Sequence, residues 1–216
     1  MKIVQTEDKS HSLFSEQYKE HYHSTFGAVA ESQHIFIEAG LKEIQKDNIS
    51  IFEMGMGTGL NALLTMRYAD NQKKQIQYTA VEKHPLSEAV YSQLNYASIL
   101  SLPEKYFQKI HNTAWGEKII LTENFTLYKE AGDIQDFSHQ QKYDLVYFDA
   151  FSPDIQPHLW TKDIFETLFN HMNDNALLLT YSVKGIVKRA LKEVGFTIEK
   201  IPGPKGKREI LRACKK

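Results

Sequence analysis

The sequence is poor in cysteine and has no long hydrophobic run. Its single cysteine, Cys214, cannot form a disulfide within the chain, which is typical of a protein from a reducing cytoplasm. No apolar stretch approaches the roughly 20 residues that a membrane-spanning helix needs, and the N-terminus turns polar too early for a secretory signal. We therefore expect a cytoplasmic protein without a membrane partner.

Net charge is also nearly absent, but the charges are unevenly distributed. The formal net charge is −1, yet residues 184–216 contain eleven Lys or Arg and three Glu, a net charge of +8 that leaves −9 on the remainder. A basic end on an otherwise acidic protein is typical of polyanion binding. A solvated, lysine-rich surface would have the same composition, so the charge pattern alone leaves both interpretations open.

Three glycines at alternate positions form the most informative motif of the sequence. Gly55, Gly57 and Gly59 follow the apolar segment 49–54 and precede an apolar pattern with helical spacing. A strand, a glycine turn and a helix form the nucleotide site of an open α/β sheet. Glu53 would repel a pyrophosphate directly before this turn but suits a cofactor with a cationic amino group. The motif therefore favours S-adenosyl-L-methionine over NAD or FAD, with a loop that binds nothing as the alternative.

The alternation of strand and helix patterns predicts an α/β fold. The predicted strands are 49–54, 76–82, 125–129, 143–149, 176–181, 196–200 and 209–213. The connection between the last two is too short for a crossover helix, so they should form an antiparallel hairpin. We expect a mostly parallel, seven-stranded sheet with helices on both faces. Residues 1–216 would form a single domain, with an N-terminal extension and helix (1–45) and a Rossmann-like core (46–216). Within the extension, residues 1–25 are polar and are predicted to be irregular, and residues 27–44 have the apolar pattern of a helix.

Polar side chains follow several of the predicted strands where those strands end. They are Glu82, Asp133, Asp149 and the pair Tyr181 and Ser182. In a doubly wound sheet these ends meet at the edge where ligands bind. Glu82 lies about 20 residues beyond the glycines, where such folds place a carboxylate on the ribose. A solvated strand end is the alternative for Glu82, and a turn or a helix cap is the alternative for Asp133 and Asp149.

Histidines are frequent near the N-terminus, at positions 11, 21, 23 and 34. The sequence has no nearby cysteine pair and no helical His-x-x-x-His spacing among them. We therefore expect ordinary surface and loop histidines, and no metal site.

Several motifs together resemble the bacterial tRNA methyltransferases that complete the wobble uridine side chain. They are HSTFGA at 23–28, ESQHIFI at 31–37, EMGMGTGLN at 53–61, FDAFSP at 148–153, LWT at 159–161, TYS at 180–182 and GPKGKRE at 203–209. The resemblance extends over residues 10–213, and it implies the fold of a class I S-adenosylmethionine-dependent methyltransferase. Some members of that family carry an additional FAD-dependent oxidoreductase half. This chain resembles the stand-alone form without it.

The resemblance also implies an activity and a set of site residues. The family N-methylates 5-aminomethyl-2-thiouridine to 5-methylaminomethyl-2-thiouridine, which converts S-adenosyl-L-methionine to S-adenosyl-L-homocysteine. Gly55, Gly57 and Gly59 would underlie the methionine part of the cofactor and Glu82 would hold its ribose. Asp133 would hold the adenine edge, and Glu31 would add a further contact. Asp149 would position or deprotonate the amine, with Tyr181 and Ser182 lining the site.

The implied partner is the anticodon loop of a tRNA, with a functional link to the upstream wobble-uridine modification enzymes. Lys205, Lys207 and Arg208 would then hold phosphates. Phe151, Trp160 and Tyr181 would stack on bases unless they belong to the core. Two alternatives stay open, namely an aminopropyltransferase of the spermidine synthase type and a catalytically idle RNA-binding module.

Overall fold

The first 25 residues form a small antiparallel sheet, where the sequence predicted irregular structure. The computed structural model describes residues 1–138 and 141–216, and it begins with β1 (Lys2–Gln5), β2 (His11–Ser15) and β3 (Glu20–His21). β2 pairs with β1 on one side and β3 on the other. The prediction was wrong here because serines fill inward positions of this sheet. Ser12 and Ser15 are fully buried beside Leu13, so the strand lacks an alternating apolar pattern.

The next segment is helical as predicted, but it is not one regular helix. It consists of α1 (Ala28–Ser32), a π-helical stretch (Gln33–Glu38) and a 3-10 turn (Leu41–Glu43). Ile35, Phe36 and Ile37 are all buried although they are consecutive. A π-helix is rare and occurs mostly as a short segment within an α-helix, frequently at a functional site.

Within the described residues, a mixed sheet of eight strands lies at the centre of the molecule. Its strands are β4 (Asn48–Met54), β5 (Gln75–Glu82), β6 (Lys118–Thr122), β7 (Phe125–Ala131), β8 (Tyr143–Phe148), β9 (Met172–Thr180), β10 (Thr197–Pro202) and β11 (Glu209–Cys214). Their order is β10-β11-β9-β8-β4-β5-β7-β6. The five central strands β9, β8, β4, β5 and β7 are parallel. The C-terminal hairpin β10–β11 is antiparallel, which confirms the prediction.

The strand that the sequence prediction missed is β6, so the predicted count of seven is corrected to eight. β6 pairs antiparallel with β7 at the edge of the sheet, with an irregular register near Ile120. Ile120 is 74 % exposed, and the strand therefore has no regular alternation of apolar and polar residues.

Helices cover both faces of the sheet. One face carries α2 (Leu60–Gln72) and α5 (Glu104–Asn112) with the short helices α3 (Glu88–Tyr91) and α4 (Tyr96–Ile99), and the other carries α6 (Lys162–Asn170) and α7 (Gly185–Val194). None of the helices in residues 1–138 and 141–216 has the length and apolar character needed to cross a bilayer. β4 lies between β5 and β8, so the strand order reverses at β4, and ligands bind at such a point.

Candidate active site

A cavity of about 410 Å³ opens at the carboxyl ends of the parallel strands. Most of the residues predicted to contact a cofactor line it, namely Glu31, Gly55, Gly57, Glu82, Asp133 and Asp149. Tyr181 and Lys207 also line the cavity. Its size is in the range of small-molecule and cofactor sites. The sheet topology thus brings together side chains that are more than 170 residues apart in the chain.

The glycine loop passes close to two neighbours and needs residues without a side chain. Gly55 and Gly57 have backbone φ angles of 84° and 49°, which residues other than glycine rarely adopt. A Cβ at Gly55 would lie 2.8 Å from the backbone oxygen of Asp149, and one at Gly57 would lie 3.2 Å from the ring of Tyr22. The loop therefore seats the end of β8 on one side and the N-terminal region on the other.

Glu82 ends β5 and is held by two backbone amides. Its Oε2 accepts a hydrogen bond from Gly57 N at 2.9 Å, and its Oε1 accepts one from His84 N at 2.7 Å. A carboxylate oxygen has two lone pairs, so each oxygen can accept a further hydrogen bond from a ligand. The carboxylate is thus fixed against the glycine loop and remains able to accept from vicinal hydroxyls.

Asp133 lies beyond the end of β7 and is ionised. Lys83 Nζ lies 2.8 Å from its Oδ2, and this ion pair and hydrogen bond hold the pKa of the Asp133 carboxyl below its usual value. Gln135 N donates a further hydrogen bond to Oδ1 at 3.1 Å. Asp133 is therefore a carboxylate acceptor in the wall of the cavity.

Asp149 follows β8 and is linked to α2 through Asn61. Asn61 Nδ2 donates to Asp149 Oδ2 at 2.8 Å and to Glu53 Oε1 at 2.9 Å. Burial raises the pKa of Asp149 to about 7, and the nearby Glu31 acts in the same direction, whereas the Asn61 hydrogen bond and the charge of Lys207 oppose the shift. A carboxyl group with this pKa can accept a proton near neutral pH.

Three residues predicted for the site lie behind the cavity wall instead of lining it. Glu53 is fully buried beneath the glycine loop, and burial raises its pKa well above the usual value. The Gly59 Cα faces His111 and Ile110 on α5, and Ser182 is 5 % exposed behind Tyr181. The expectation that Glu53 meets the amino group of the cofactor does not fit this position, because the side chain is separated from the cavity by its contact with Asn61.

The opposite wall of the cavity is formed by Tyr181, Lys207 and Glu31. Tyr181 Oη donates to Ala150 O at 2.9 Å, and Lys207 Nζ lies 5.1 Å from the Tyr181 ring centroid. Lys207 Nζ is also 3.0 Å from Glu31 Oε1, while Glu31 Oε2 accepts from Ser24 N at 2.7 Å. The N-terminal region and the β10–β11 hairpin thus meet across the site.

The other basic residues predicted to bind RNA lie outside the cavity. Lys205 is 70 % exposed and forms an ion pair with Glu7 at 2.5 Å. Arg208 is exposed at the end of the hairpin loop. Lys205 and Lys207 therefore both have acidic partners, which phosphates would have to displace.

An aromatic group in the cavity wall was not predicted in full. The ring of Phe151 lies 4.8 Å from that of Tyr18 and 5.0 Å from that of Tyr22, and all three residues line the cavity. Trp160 belongs to the core instead, since it is 1 % exposed and its Nε1 donates to Phe151 O at 2.8 Å. No pattern in the sequence marks Tyr18 or Tyr22, because the N-terminal sheet that presents them lacks alternation.

The four N-terminal histidines make separate contacts, and the ring centroid of His21 lies 5.0 Å from that of Phe14. His11 Nδ1 lies 2.9 Å from Gln93 O, His23 Nδ1 lies 3.1 Å from Ser12 Oγ, and His34 Nε2 lies 2.8 Å from Pro202 O. The described part of the chain contains no group of three or more His, Cys, Asp or Glu side chains that could hold a metal ion.

Comparison with known proteins relates this geometry to a family. Residues 100–216 match the family model described as S-adenosyl-L-methionine-dependent methyltransferase. The bifunctional tRNA 5-methylaminomethyl-2-thiouridine biosynthesis protein MnmC of Burkholderia multivorans is 31 % identical over 93 % of this chain and 33 % of its own length. The Ralstonia nicotianae protein of the same name is 32 % identical over 93 % of this chain and 32 % of its length. The chain thus spans about a third of the length of these relatives.

The solved structure of MnmC2 from Aquifex aeolicus is also similar. It matches all of this chain and 70 % of its own, with a TM-score of 0.81 and 26 % sequence identity. Streptomyces venezuelae DesVI matches 87 % of this chain with a TM-score of 0.52 at 10 % identity, a likeness of fold alone. The class I methyltransferase fold predicted from the sequence is confirmed by these matches and by the sheet order.

Proposed function

The chain belongs to the family of S-adenosyl-L-methionine-dependent methyltransferases, and we propose that it methylates the aminomethyl nitrogen of 5-aminomethyl-2-thiouridine at the tRNA wobble position. The observation that carries the proposal is the partly buried Asp149 carboxyl group at the cavity. Its pKa is about 7, and the backbone oxygen of Asp149 lies against Gly55 of the glycine loop. The substrate is proposed from the similarity to the MnmC proteins, and the base and the cofactor site are proposed from the residues of the cavity.

The chemistry requires an amine with a free electron pair. S-adenosyl-L-methionine supplies an electrophilic methyl group on a sulfonium, and transfer forms the N–C bond, breaks the S–C bond and leaves S-adenosyl-L-homocysteine. An alkylamine is mostly protonated at neutral pH, so Asp149 accepts that proton and holds the nitrogen in line. Holding two reactants in line can supply about 7–11 kcal/mol of the barrier reduction. Tyr181 packs beside this position and, through its bond to Ala150 O, stiffens the backbone next to Asp149.

The remaining cavity residues would hold the cofactor. Glu82 accepts from the ribose hydroxyls, because its two oxygens are already aligned by Gly57 N and His84 N. Asp133 accepts from the adenine amino group. Gly55 and Gly57 let the methionine part lie against the main chain. Glu31 contributes through its ion pair with Lys207, which anchors the wall that faces Asp149.

A basic surface beside the cavity would bind the RNA backbone. Arg208 joins Lys205 and Lys207 on the hairpin loop, and Lys188 and Lys200 lie close enough to Glu209 to affect its ionisation together with Arg208. Within residues 1–138 and 141–216, Lys188 and Arg208 form no ion pair within 4 Å. These two cations are therefore free for phosphates, whereas Lys205 must first leave Glu7. Phe151 in the cavity wall would stack on a base.

The spermidine synthase alternative is disfavoured by Lys207. Its ammonium group lines the cavity and influences Asp149, so it would repel a polyamine entering the same space. The proposed substrate carries a single amine on an anionic RNA backbone. That backbone is complementary in charge to the basic surface beside the cavity. The proposal also places this reaction after the one that installs the aminomethyl group, which keeps the predicted functional link with the upstream enzymes.

The test is the identity of the product. Purified protein, S-adenosyl-L-methionine and tRNA from cells that lack this modification step should yield 5-methylaminomethyl-2-thiouridine in nucleoside mass spectrometry. tRNA whose wobble uridine lacks the aminomethyl group is the control and should remain unchanged. Methylation of another nucleoside, or none with the correct tRNA, would contradict the proposal.

The RNA surface has its own test. Replacing Lys188 and Arg208 by Glu should weaken tRNA binding and reduce its dependence on salt, because each lost phosphate contact lowers the salt slope. Lys118→Glu is the matched control, since Lys118 is an exposed cation on the edge strand β6, outside the basic segment. An unchanged salt slope in the double variant would assign the RNA to another surface.

A further inference from the structure

We propose that Asn61 is a positioning residue that sets the orientation and charge state of Asp149, and that Glu53 fixes Asn61 from beneath the glycine loop. The inference rests on the proposed role of Asp149 in methyl transfer. Asn61 belongs to the glycine motif but had no role in the interpretation of the sequence. The contacts of Asn61 in the structure now indicate a role for it.

The geometry gives Asn61 a single orientation. Asn61 is the second residue of α2, it is 4 % exposed, and it lines the cavity. Its Nδ2 has two hydrogens, and these serve Asp149 Oδ2 at 2.8 Å and Glu53 Oε1 at 2.9 Å. A flipped carboxamide would place Oδ1 against the ionised Asp149 and lose the hydrogen bond to it. Asn61 therefore holds Oδ2 of Asp149 and directs the other oxygen of that carboxyl group toward a substrate amine.

Glu53 is suited to anchor Asn61 without adding a charge. It is fully buried on β4, and burial keeps its carboxyl protonated well above the usual pKa. Tyr78 on β5 is also fully enclosed and interacts with Glu53. A neutral carboxyl still accepts from Asn61 through one oxygen. This anchoring of Asn61 explains why an acid, Glu53, precedes the glycine loop although its side chain does not reach the cavity.

Several charged or titratable groups act on Asp149 from the surrounding elements. Glu31 from α1 disfavours its ionised form, and Lys207 from the β10–β11 hairpin favours it. Glu53 on β4, Tyr78 on β5 and Tyr181 after β9 interact with Asp149 as well, and burial keeps all three neutral. Asn61 is the neutral donor in this group, and its hydrogen bond stabilises the carboxylate. Removing that donor should therefore raise the pKa of Asp149.

The experiment measures Asp149 directly and then the reaction. The carboxyl ¹³C resonance of Asp149, assigned with Asp149→Asn, is titrated in the full-length wild type and in Asn61→Leu. The pKa of Asp149 should rise by about one unit or more in the variant, because a hydrogen bond to a charged group is lost. The acidic limb of the pH–rate profile for tRNA methylation should move upward with it. Asn61→Asp keeps the size of the side chain and should shift both in the same direction if Asn61→Leu does not fold.

A matched control lies at the opposite end of β8, where Asn173 of β9 meets Asp144. Asn173 Nδ2 donates to Asp144 Oδ1 at 2.8 Å, near the start of β8 and far from the cavity. Asn173→Leu removes the same kind of hydrogen bond and should leave both the Asp149 titration and the pH–rate profile unchanged.

The outcomes separate this inference from the proposed function. An Asp149 titration that stays in place in both Asn61 variants would overturn the inference. A shifted titration with an unmoved pH–rate profile would overturn the link to the reaction. The titration could also shift in the Asn61 variants while the wild-type protein fails to methylate tRNA. That result would refute the proposed function and support the control of Asp149 by Asn61.

Discussion

Glu82→Gln is expected to weaken the binding of S-adenosyl-L-methionine although it changes only one atom of the side chain. Both carboxylate oxygens accept a backbone N–H, from Gly57 at 2.9 Å and from His84 at 2.7 Å. An amide has only one acceptor oxygen, so its NH2 group must face one of these two donors. The variant therefore loses an anchor of the glycine loop or of the segment after β5, together with the negative charge that would accept from the ribose.

The magnitude follows from the loss of hydrogen bonds to a charged group. Such bonds contribute about 1.5–3 kcal/mol each, which corresponds to an increase in Kd of about 10- to 100-fold for one of them. Isothermal titration calorimetry with S-adenosyl-L-methionine measures this increase. Glu130→Gln is the matched control, since Glu130 lies on the adjacent strand β7, where it accepts from Tyr128 Oη at 2.6 Å. A Kd for Glu82→Gln within twofold of wild type would refute the role of Glu82.

Two further predictions concern stability and the glycine loop. The raised pKa of Asp149, about 7, means that its ionisation opposes folding, a cost that is absent below about pH 4 and complete above about pH 7. Asp149→Asn should therefore raise the free energy of unfolding by on the order of 2 kcal/mol at pH 8 and by very little at pH 4, as measured by chemical denaturation. Equal increases at the two pH values would contradict the raised pKa of Asp149. Gly55→Ala should lower Tm more than Gly57→Ala does. The new Cβ at position 55 would lie 2.8 Å from a backbone oxygen, whereas the one at position 57 would lie 3.2 Å from the Tyr22 ring, which can shift. The reverse order of Tm values would contradict this packing of the loop.

The parallel core of the fold could be predicted because its strands are continuous apolar runs. Every residue of β8 from Tyr143 to Phe148 is buried, and such runs separated by helical patterns specify a doubly wound sheet. β6 and the N-terminal sheet could not be predicted in the same way. β6 is an edge strand that exposes Ile120, and the N-terminal sheet buries serines through hydrogen bonds, as Ser12 Oγ does with His23.

The site was predictable to the extent that it depends on strand ends. Glu82, Asp133 and Asp149 each end or follow a strand, and the parallel sheet brings them to one cavity. Glu53 differs because it lies within β4, whose side chains alternate between the two faces, and there it is enclosed by α2. The contacts of Lys207 with Glu31 and Tyr181 depend on how the N-terminal region packs on the hairpin, which no local pattern determines.

The most direct test of the account is the turnover of Asp149→Asn with both substrates saturating. Methyl transfer from labelled S-adenosyl-L-methionine to tRNA that carries the aminomethyl group should fall at least about 100-fold, the usual contribution of a positioned base. The Kd for the cofactor should change by less than about tenfold, or roughly 1.4 kcal/mol. Turnover close to that of the wild type would contradict the claim that Asp149 takes the proton of the amine.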